Sequence, residues 1–397
     1  MYRLKDSGEH TYMKICILTD RYPIENYPAN TFLNQLVCQM AEQGVECTVI
    51  APYRPLRDRL RGKKYHPPYV YRKTAKSGKE ITIYNPHYFG VVGKTKLGID
   101  LTSLHQKLYT NAIKRVIKKE KLQFDAVYGH FIMPAGFAAA EIGKIFNKPS
   151  FLAYGESSFA NVGRFFSDVE IQRRLTDISG IVAVSGKNRD ELLEHGVVSP
   201  EKIRVFPNAI DNDTFKALDK NAAREKLGIS REDFVVAFVG HFINRKGSKR
   251  LSDALEKFDD VKSVFIGAGP EEPVCDNIVY KGKLPHDEIP MYLNAADVFV
   301  LPTLAEGCCN AIVEAMACGL PIISSNLPFN DDILDESNSI RIDPQNVDEL
   351  TEAIRELRDN KEKRERMSKA SLLLASSLTI DKRAERILSF IEETKNK

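Results

Sequence analysis

Glu306-Gly-Cys-Cys-Asn-Ala-Ile-Val-Glu-Ala-Met-Ala-Cys-Gly-Leu-Pro321 decides how the rest of this chain is read. The run before it, Val298-Phe-Val-Leu301, is short and apolar and stops at Pro302, so it reads as a buried strand with Glu306 in the loop at its C-terminal end. From Asn310 the apolar positions pair four apart, Ile312 with Met316 and Val313 with Ala317. That is a helical pattern, and Gly319 and Pro321 end it. The amides of Gly307, Cys308 and Cys309 open this helix and form a seat for an anion such as a phosphate or carboxylate. Glu306 flanks the seat on one side and Glu314, one turn beyond Asn310, on the other. For a lone glutamate the plain readings are a capping acid and a solvated helix acid. Here a second apolar run, Pro321 to Ser324, follows at once and sets both acids beside the crevice where open α/β sheets bind ligands.

Outward from this stretch, 397 residues are too many for one ordinary core and imply two domains. With 43% hydrophobic and 28% charged residues the composition is that of a globular protein. No apolar run approaches the ~18 residues of a membrane span, and no signal-peptide hydrophobic region stands at the start, so a cytoplasmic location is expected. Seven cysteines without paired Cys-x-x-Cys spacing are read as reduced thiols with no metal role. A net charge of +3 names no partner by itself.

Residues 1–12 are polar and aperiodic and read as a disordered leader. From residue 13 an alternation begins: strand Lys14 to Thr19, a Pro- and Asn-rich loop ending at Asn30, helix Thr31 to Gln43, strand Cys47 to Ala51. Arg54 to Lys79 is basic and tyrosine-bearing, and Lys114 to Lys121 forms a second basic cluster. A solvated loop and a face for anionic lipid are open readings of the two together, and nothing resembles a nucleic-acid module. Phe124 to His130 reads as a strand with His130 at its end, followed by a small-residue helix, Pro134 to Ile145. A lone histidine is more often structural, but a strand end is where sites are built. Ser150 to Tyr154 then runs into Gly155-Glu156.

Strand Ile181 to Ser185, helix Lys187 to His195 and strand Ile203 to Phe206 lead to Pro207-Asn-Ala-Ile-Asp211. Asp211-Asn-Asp213 has the spacing of a metal-binding carboxylate pair, yet it follows a Pro-Asn turn, where Asp and Asn are ordinary capping residues. The alternation restarts with Phe234 to Gly240, and Arg245-Lys246-Gly247 forms the turn into the helix Ser248 to Phe258, a place for two solvated cations or for a diphosphate. Lys262 to Gly267 and Ile278 to Tyr280 are further strands. Gly267-Ala-Gly269 is a turn and lacks the third glycine of a dinucleotide fingerprint. Helical patterns cover Val347 to Arg358, Lys361 to Leu374 and Ile380 to Thr394.

The organising stretch resembles the Glu-x7-Glu signature of retaining glycosyltransferase family 4, down to its Gly, Asn, Ala-Met-Ala, Gly and Pro positions. The resemblance spans nearly the whole chain and is strongest in its second half. It implies the α/β GT-B architecture, two doubly wound Rossmann-like domains facing across a cleft. Boundaries are expected at 13–212 and 213–377, with a helix at 378–397 packing back on the first domain. It also implies a nucleotide-diphosphate sugar donor, a saccharide or lipid-linked saccharide acceptor as in bacterial capsule, exopolysaccharide or lipopolysaccharide synthesis, and neither metal nor cofactor. On that resemblance Glu314 binds ribose hydroxyls, and Glu306, Gly307, Cys308, Cys309 and Asn310 hold the donor. Gly240, Arg245 and Lys246 meet the diphosphate, Lys281 lies in the loop receiving the base, and His130 orients the sugar. Asn30 and Glu156 are candidate acceptor or sugar contacts. The sequence departs from the family in lacking its glycine-rich first loop, and in Tyr154, Ala209 and His241, which replace a histidine, a glycine and an arginine. A nucleotide-sugar epimerase of the same architecture and a non-catalytic sugar-nucleotide-binding subunit are the alternatives.

Overall fold

The computed structural model describes residues 13–395 apart from 26, 28, 29, 61, 63–65, 91–94, 97 and 98. The leader expected at 1–12 and the basic residues Arg61, Lys63 and Lys64 therefore lie outside the described residues. The chain divides into two compact units. One runs through Val184 and takes in Asn188–Phe206 and Asp381–Lys397; the other is Pro207–Ile380 with Ser185–Lys187.

In the first unit the strands are β1 (Lys14–Leu18), β2 (Glu46–Ile50), β3 (Val70–Thr74), β4 (Glu80–Tyr84), the two-residue pair β5 (Thr95–Lys96) and β6 (Ile99–Asp100), β7 (Ala126–His130), β8 (Ser150–Tyr154), β9 (Gly180–Ala183) and β10 (Ile203–Val205). Eight of them form one sheet in the order β10-β9-β8-β7-β1-β2-β4-β3. All its pairings are parallel except β3 with β4. The helices are α1 (Thr31–Glu42), α2 (Pro55–Leu60), α3 (Leu101–Lys119), α4 (Phe137–Phe146), α5 (Ala160–Gly163), α6 (Asp168–Leu175) and α7 (Gly186–Glu194). Parallel strands covered by helices on both faces must be apolar throughout, and β7 and β8 are buried at every position. Part of the segment read as a basic loop is instead the hairpin β3–β4, whose outer strand alternates exposed and half-buried residues, as an edge strand does.

The second unit contains α8 (Lys220–Leu227), β11 (Phe234–Val239), α9 (Ser248–Leu255), β12 (Val261–Ile266), β13 (Ile278–Gly282), α10 (Ile289–Ala295), β14 (Val298–Leu301), α11 (Asn310–Ala317), β15 (Ile322–Ser325), β16 (Ser339–Ile342), α12 (Val347–Asp359) and α13 (Lys361–Ala375). Its sheet is wholly parallel with the order β13-β12-β11-β14-β15-β16, the doubly wound dinucleotide-binding order. The direction of winding reverses between β11 and β14, and in the first unit between β1 and β7. Loops leaving those strands part to opposite sides and leave a crevice at the carboxyl ends. The remaining helix, α14 (Ile380–Lys395), is assigned from Asp381 onward to the first unit, where Phe390 packs its ring 5.6 Å from that of Phe151.

Candidate functional site

The two loops at the switch point of the second unit carry the charges singled out in the sequence. The loop after β11 holds Arg245 and Lys246, and the loop after β14 holds Glu306. Backbone bonding joins the loops, since Leu304 N–H donates to the Arg245 carbonyl at 2.8 Å. Glu306 is 8% exposed, and its Oε1 lies 2.8 Å from an Arg245 guanidinium nitrogen, 2.6 Å from Lys246 Nζ and 2.8 Å from the Thr303 hydroxyl. Arg245 also donates to the Ala305 carbonyl. Lys246 is held above the usual lysine range: burial opposes its charge, but the nearby Cys309 sulfur and the Glu306 carboxylate outweigh it. Its Nζ stands 3.8 Å from Cys309 Sγ. Burial raises the Cys309 thiol, against the pull of Lys246. Two cations and one anion are thus grouped with one positive charge in excess, a setting that favours a further anion.

Helix α11 begins beside this cluster. Cys309 is its N-cap in extended conformation with no side-chain cap bond, so the helix start is not closed by its own cap residue. Asn208 fixes the approach, its amide nitrogen donating to the Cys308 carbonyl at 2.9 Å and to Asn310 Oδ1 at 2.7 Å. Gly307 is buried here with both cysteines. Glu314, in the second turn, is not a solvated helix acid. Its side chain is 12% exposed and its Oε1 lies 2.9 Å from His286 Nε2.

Gly240 directly follows β11, and its N–H donates to the Ile266 carbonyl at 2.9 Å. The backbone at Gly267 comes so close that a Cβ there would lie 1.9 Å from the Gly240 carbonyl oxygen. Lys281 belongs to strand β13 and not to a loop. It pairs with Glu272 at 3.1 Å, while Gly282 is the strand's last residue. Asp211 spends its carboxylate on its own turn, accepting from Asp213 N–H and the Thr214 hydroxyl, both at 3.1 Å. A surface cavity of about 1140 Å³ in this unit is lined from the opposite strand ends, by Phe234, Lys262 and Asp297 among others, and by no candidate donor residue.

In the first unit His130 closes β7 and Asn30 stands before α1, so both lie at that sheet's switch point. His130 is 8% exposed, and neither ring nitrogen has a hydrogen-bond partner among the described residues. Its ring centroid lies 5.0 Å from that of Phe32 and 4.3 Å from that of Phe131. Burial, with a contribution from Arg383, pushes its pKa down to about 3, so the ring is neutral. Phe131 adopts φ 67° and ψ 161°, a region that costs a non-glycine residue about 1–3 kcal/mol and that recurs at functional sites. Glu156 serves this same loop, accepting Ile132 N–H at 2.9 Å and Gly155 N–H at 3.0 Å. Burial raises its pKa to about 7 against the pull of those amides. Tyr154, in the place of the family's second histidine, is buried and donates to Glu191 at 2.8 Å. Asn30 is committed as well: in left-handed conformation it donates to the Arg21 carbonyl at 3.0 Å and to Thr19 and Asp20 at 3.3 Å.

Several cations of the basic clusters are neutralised, Arg72 by Glu80 at 2.9 Å, Lys114 by Glu141 at 2.7 Å and Lys119 by Glu120 at 3.1 Å. No helix among the described residues is long and apolar enough to cross a membrane.

Sequence reading missed Thr303 and His286. Each had a positional signal, Thr303 directly after the Pro302 that ends a strand and His286 in the loop after β13.

Comparison with known proteins gives the class of the chain. Residues 29–214 match the family model of glycosyltransferase family 4, and residues 219–372 that of glycosyl transferases group 1. The chain belongs to the family 4 type of glycosyltransferase and is an enzyme of that class. It is 29% identical over 358 residues to TuaC of Bacillus subtilis (strain 168), by name a teichuronic acid biosynthesis glycosyltransferase, covering 86% of this chain and 88% of that one. Over 199 residues, 46% of this chain and 51% of the other, it is 30% identical to the Escherichia coli UDP-Gal:alpha-D-GlcNAc-diphosphoundecaprenol alpha-1,3-galactosyltransferase. A solved sucrose-phosphate synthase from Thermosynechococcus elongatus shares the fold at a TM-score of 0.76 and 16% identity, over 96% of this chain and 98% of that one. The architecture is GT-B, with two Rossmann-like domains.

Proposed function

We propose that this enzyme is a retaining glycosyltransferase that moves a sugar from a nucleotide-diphosphate sugar to a saccharide acceptor, carried on a lipid, in the building of a bacterial surface polysaccharide. The observation that carries the reading is the cluster of Arg245, Lys246 and Glu306 across the two loops of one switch point, with Glu314 a short way along the helix that opens beside it. Lys246 and Arg245 face the diphosphate and stabilise the negative charge it gains as the glycosidic bond breaks. The start of α11 adds its amides to the same task. Glu306 takes hydroxyls of the donor sugar and Glu314 those of the ribose. His130, neutral and without a hydrogen-bond partner among the described residues, is a hydrogen-bonding group for the sugar and not a proton carrier at neutral pH.

The names of two relatives support the pathway, one assigned to teichuronic acid biosynthesis and one to a UDP-galactose donor with a diphosphoundecaprenol-linked acceptor. A lipid-borne acceptor places the enzyme on the inner face of the cell membrane, and sedimentation with anionic and neutral vesicles tests that placement. Incubation with UDP-, GDP- and ADP-sugars and a diphosphoundecaprenol-linked acceptor, read by mass spectrometry and by the anomeric coupling of the product, tests the rest. A product of inverted configuration rules out retention, and epimerised free donor without transfer rules out the transferase reading.

A further inference from the structure

Glu314 is anchored from outside its own helix. His286 lies in the loop between β13 and α10, and its Nε2 approaches Glu314 Oε1 at 2.9 Å. An ionised carboxylate can only accept, so the imidazole nitrogen facing it carries the proton. The ring is itself supported, since its centroid lies 4.9 Å from that of Phe215, a residue 1% exposed. Phe215 is fixed in turn by the Asp211 turn, where its N–H donates to the Asp211 carbonyl at 2.8 Å. The hydrogen bond to Glu314 and the charges of Glu314, Asp287 and Asp211 raise the imidazole's pKa against its partial desolvation, with 44% of the side chain still exposed.

We propose that His286 is a positioning residue for the nucleotide. By holding Oε1 it fixes the Glu314 side chain in one rotamer and leaves the second carboxylate oxygen for the ribose hydroxyls. This rests on the reading of Glu314 as the ribose acceptor. A glutamate side chain gives up considerable rotamer freedom when it binds, and a carboxylate already held has surrendered it before the ligand arrives. Loss of the anchor therefore costs about three- to ten-fold in affinity.

Titration calorimetry with UDP, and with GDP and ADP beside it, is done on wild type, His286→Ala, His286→Gln, Glu314→Ala and the His286→Ala/Glu314→Ala double variant. Circular dichroism and thermal unfolding follow the fold of each. Positioning predicts that His286→Ala weakens binding three- to ten-fold and that His286→Gln, which keeps an N–H at the Nε2 position, recovers most of it. It also predicts that the double variant binds no more weakly than Glu314→Ala. In turnover, His286→Ala raises the donor KM by a larger factor than it lowers kcat. Normal binding by His286→Ala beside weakened binding by Glu314→Ala overturns the positioning role alone. Multiplying losses in the double variant overturn it too, because the histidine then meets the ligand itself. Normal binding by Glu314→Ala overturns the ribose reading beneath it.

Discussion

Replacing Glu306 by glutamine removes a charge and keeps the shape of the side chain, so it separates what the carboxylate does for the loops from what it does for ligands. Its Oε1 now receives Lys246 at 2.6 Å and Arg245 at 2.8 Å. Removing one partner of a fully buried ion pair costs about 3–5 kcal/mol. Arg245 keeps 37% of its side chain in water and glutamine keeps an acceptor, so the expected cost is about 1–2 kcal/mol. In a domain of this size that lowers Tm by roughly 2–8 °C. Ligand binding moves the other way. The carboxylate pairs with the very cations that a diphosphate needs. Freeing them is worth about 1.5 kcal/mol, the lower end for a charge-assisted hydrogen bond, or roughly ten-fold tighter binding of free nucleoside diphosphate. The intact sugar nucleotide does not share that gain, because it loses its partner for the sugar hydroxyls, and turnover falls. Calorimetry with the free and the sugar-bearing nucleotide, thermal unfolding and a transfer assay read all three effects. Weaker binding of the free nucleoside diphosphate by Glu306→Gln refutes the reasoning.

Lys246→Met should lower affinity for the free nucleoside diphosphate by about ten-fold or more, the loss of one charge-assisted contact of ~1.5–3 kcal/mol, as read by calorimetry. His130 is expected to act through its neutral ring, so His130→Asn lowers the transfer rate without removing a limb of the pH–rate profile between about pH 5 and 8. Because folding lowers the His130 pKa from about 6.5 to about 3, protonation favours the unfolded chain, and stability is lost as pH falls through that window. Denaturant titrations should show part of that slope missing in His130→Asn. Gly267→Ala should destabilise by about 1–3 kcal/mol or more, since its methyl would collide with the Gly240 carbonyl oxygen. Gly240→Ala should cost less than about 1 kcal/mol, because a Cβ there meets nothing nearer than 3.5 Å.

What the sequence shows plainly is what packing dictates locally. Strands buried on both faces, such as Phe234-Val-Val-Ala-Phe-Val239, cannot be anything but apolar, and the helix after Asn310 announces itself by spacing and by its Gly and Pro stops. Edge strands are less visible. In Ile278–Gly282 and Val70–Thr74 exposed positions alternate with half-buried ones, which leaves Lys281 looking like a loop residue and the first strand of the hairpin like part of a basic loop. Pairings between distant residues are invisible for a different reason. Nothing in the neighbourhood of Glu306 says that its partners lie 60 and 61 positions earlier, or that the open turn at Asn30 is filled by its own amide. The placement of Arg245, Lys246 and Glu306 in loops after strands, and of Asn310 at a helix start, was legible because strand ends and helix starts are local features. The ion pairing of Glu306 with Arg245 and Lys246 was not, because it depends on the strand order that brings β11 beside β14.

Helix α14 bears on how the molecule is made. The chain of the first unit leaves at Phe206 and returns only at Asp381, where Arg383 bonds the Phe206 carbonyl and Phe390 fills the space over Gly180, so close that a Cβ there would sit 2.6 Å from its ring. During vectorial synthesis the second unit, nearly continuous from Pro207 to Ile380, is fully extruded and able to close while the first still lacks its covering helix. The half translated first is then the half finished last, and a nascent chain stalled before Ile380 carries an uncovered apolar patch for a chaperone to shield.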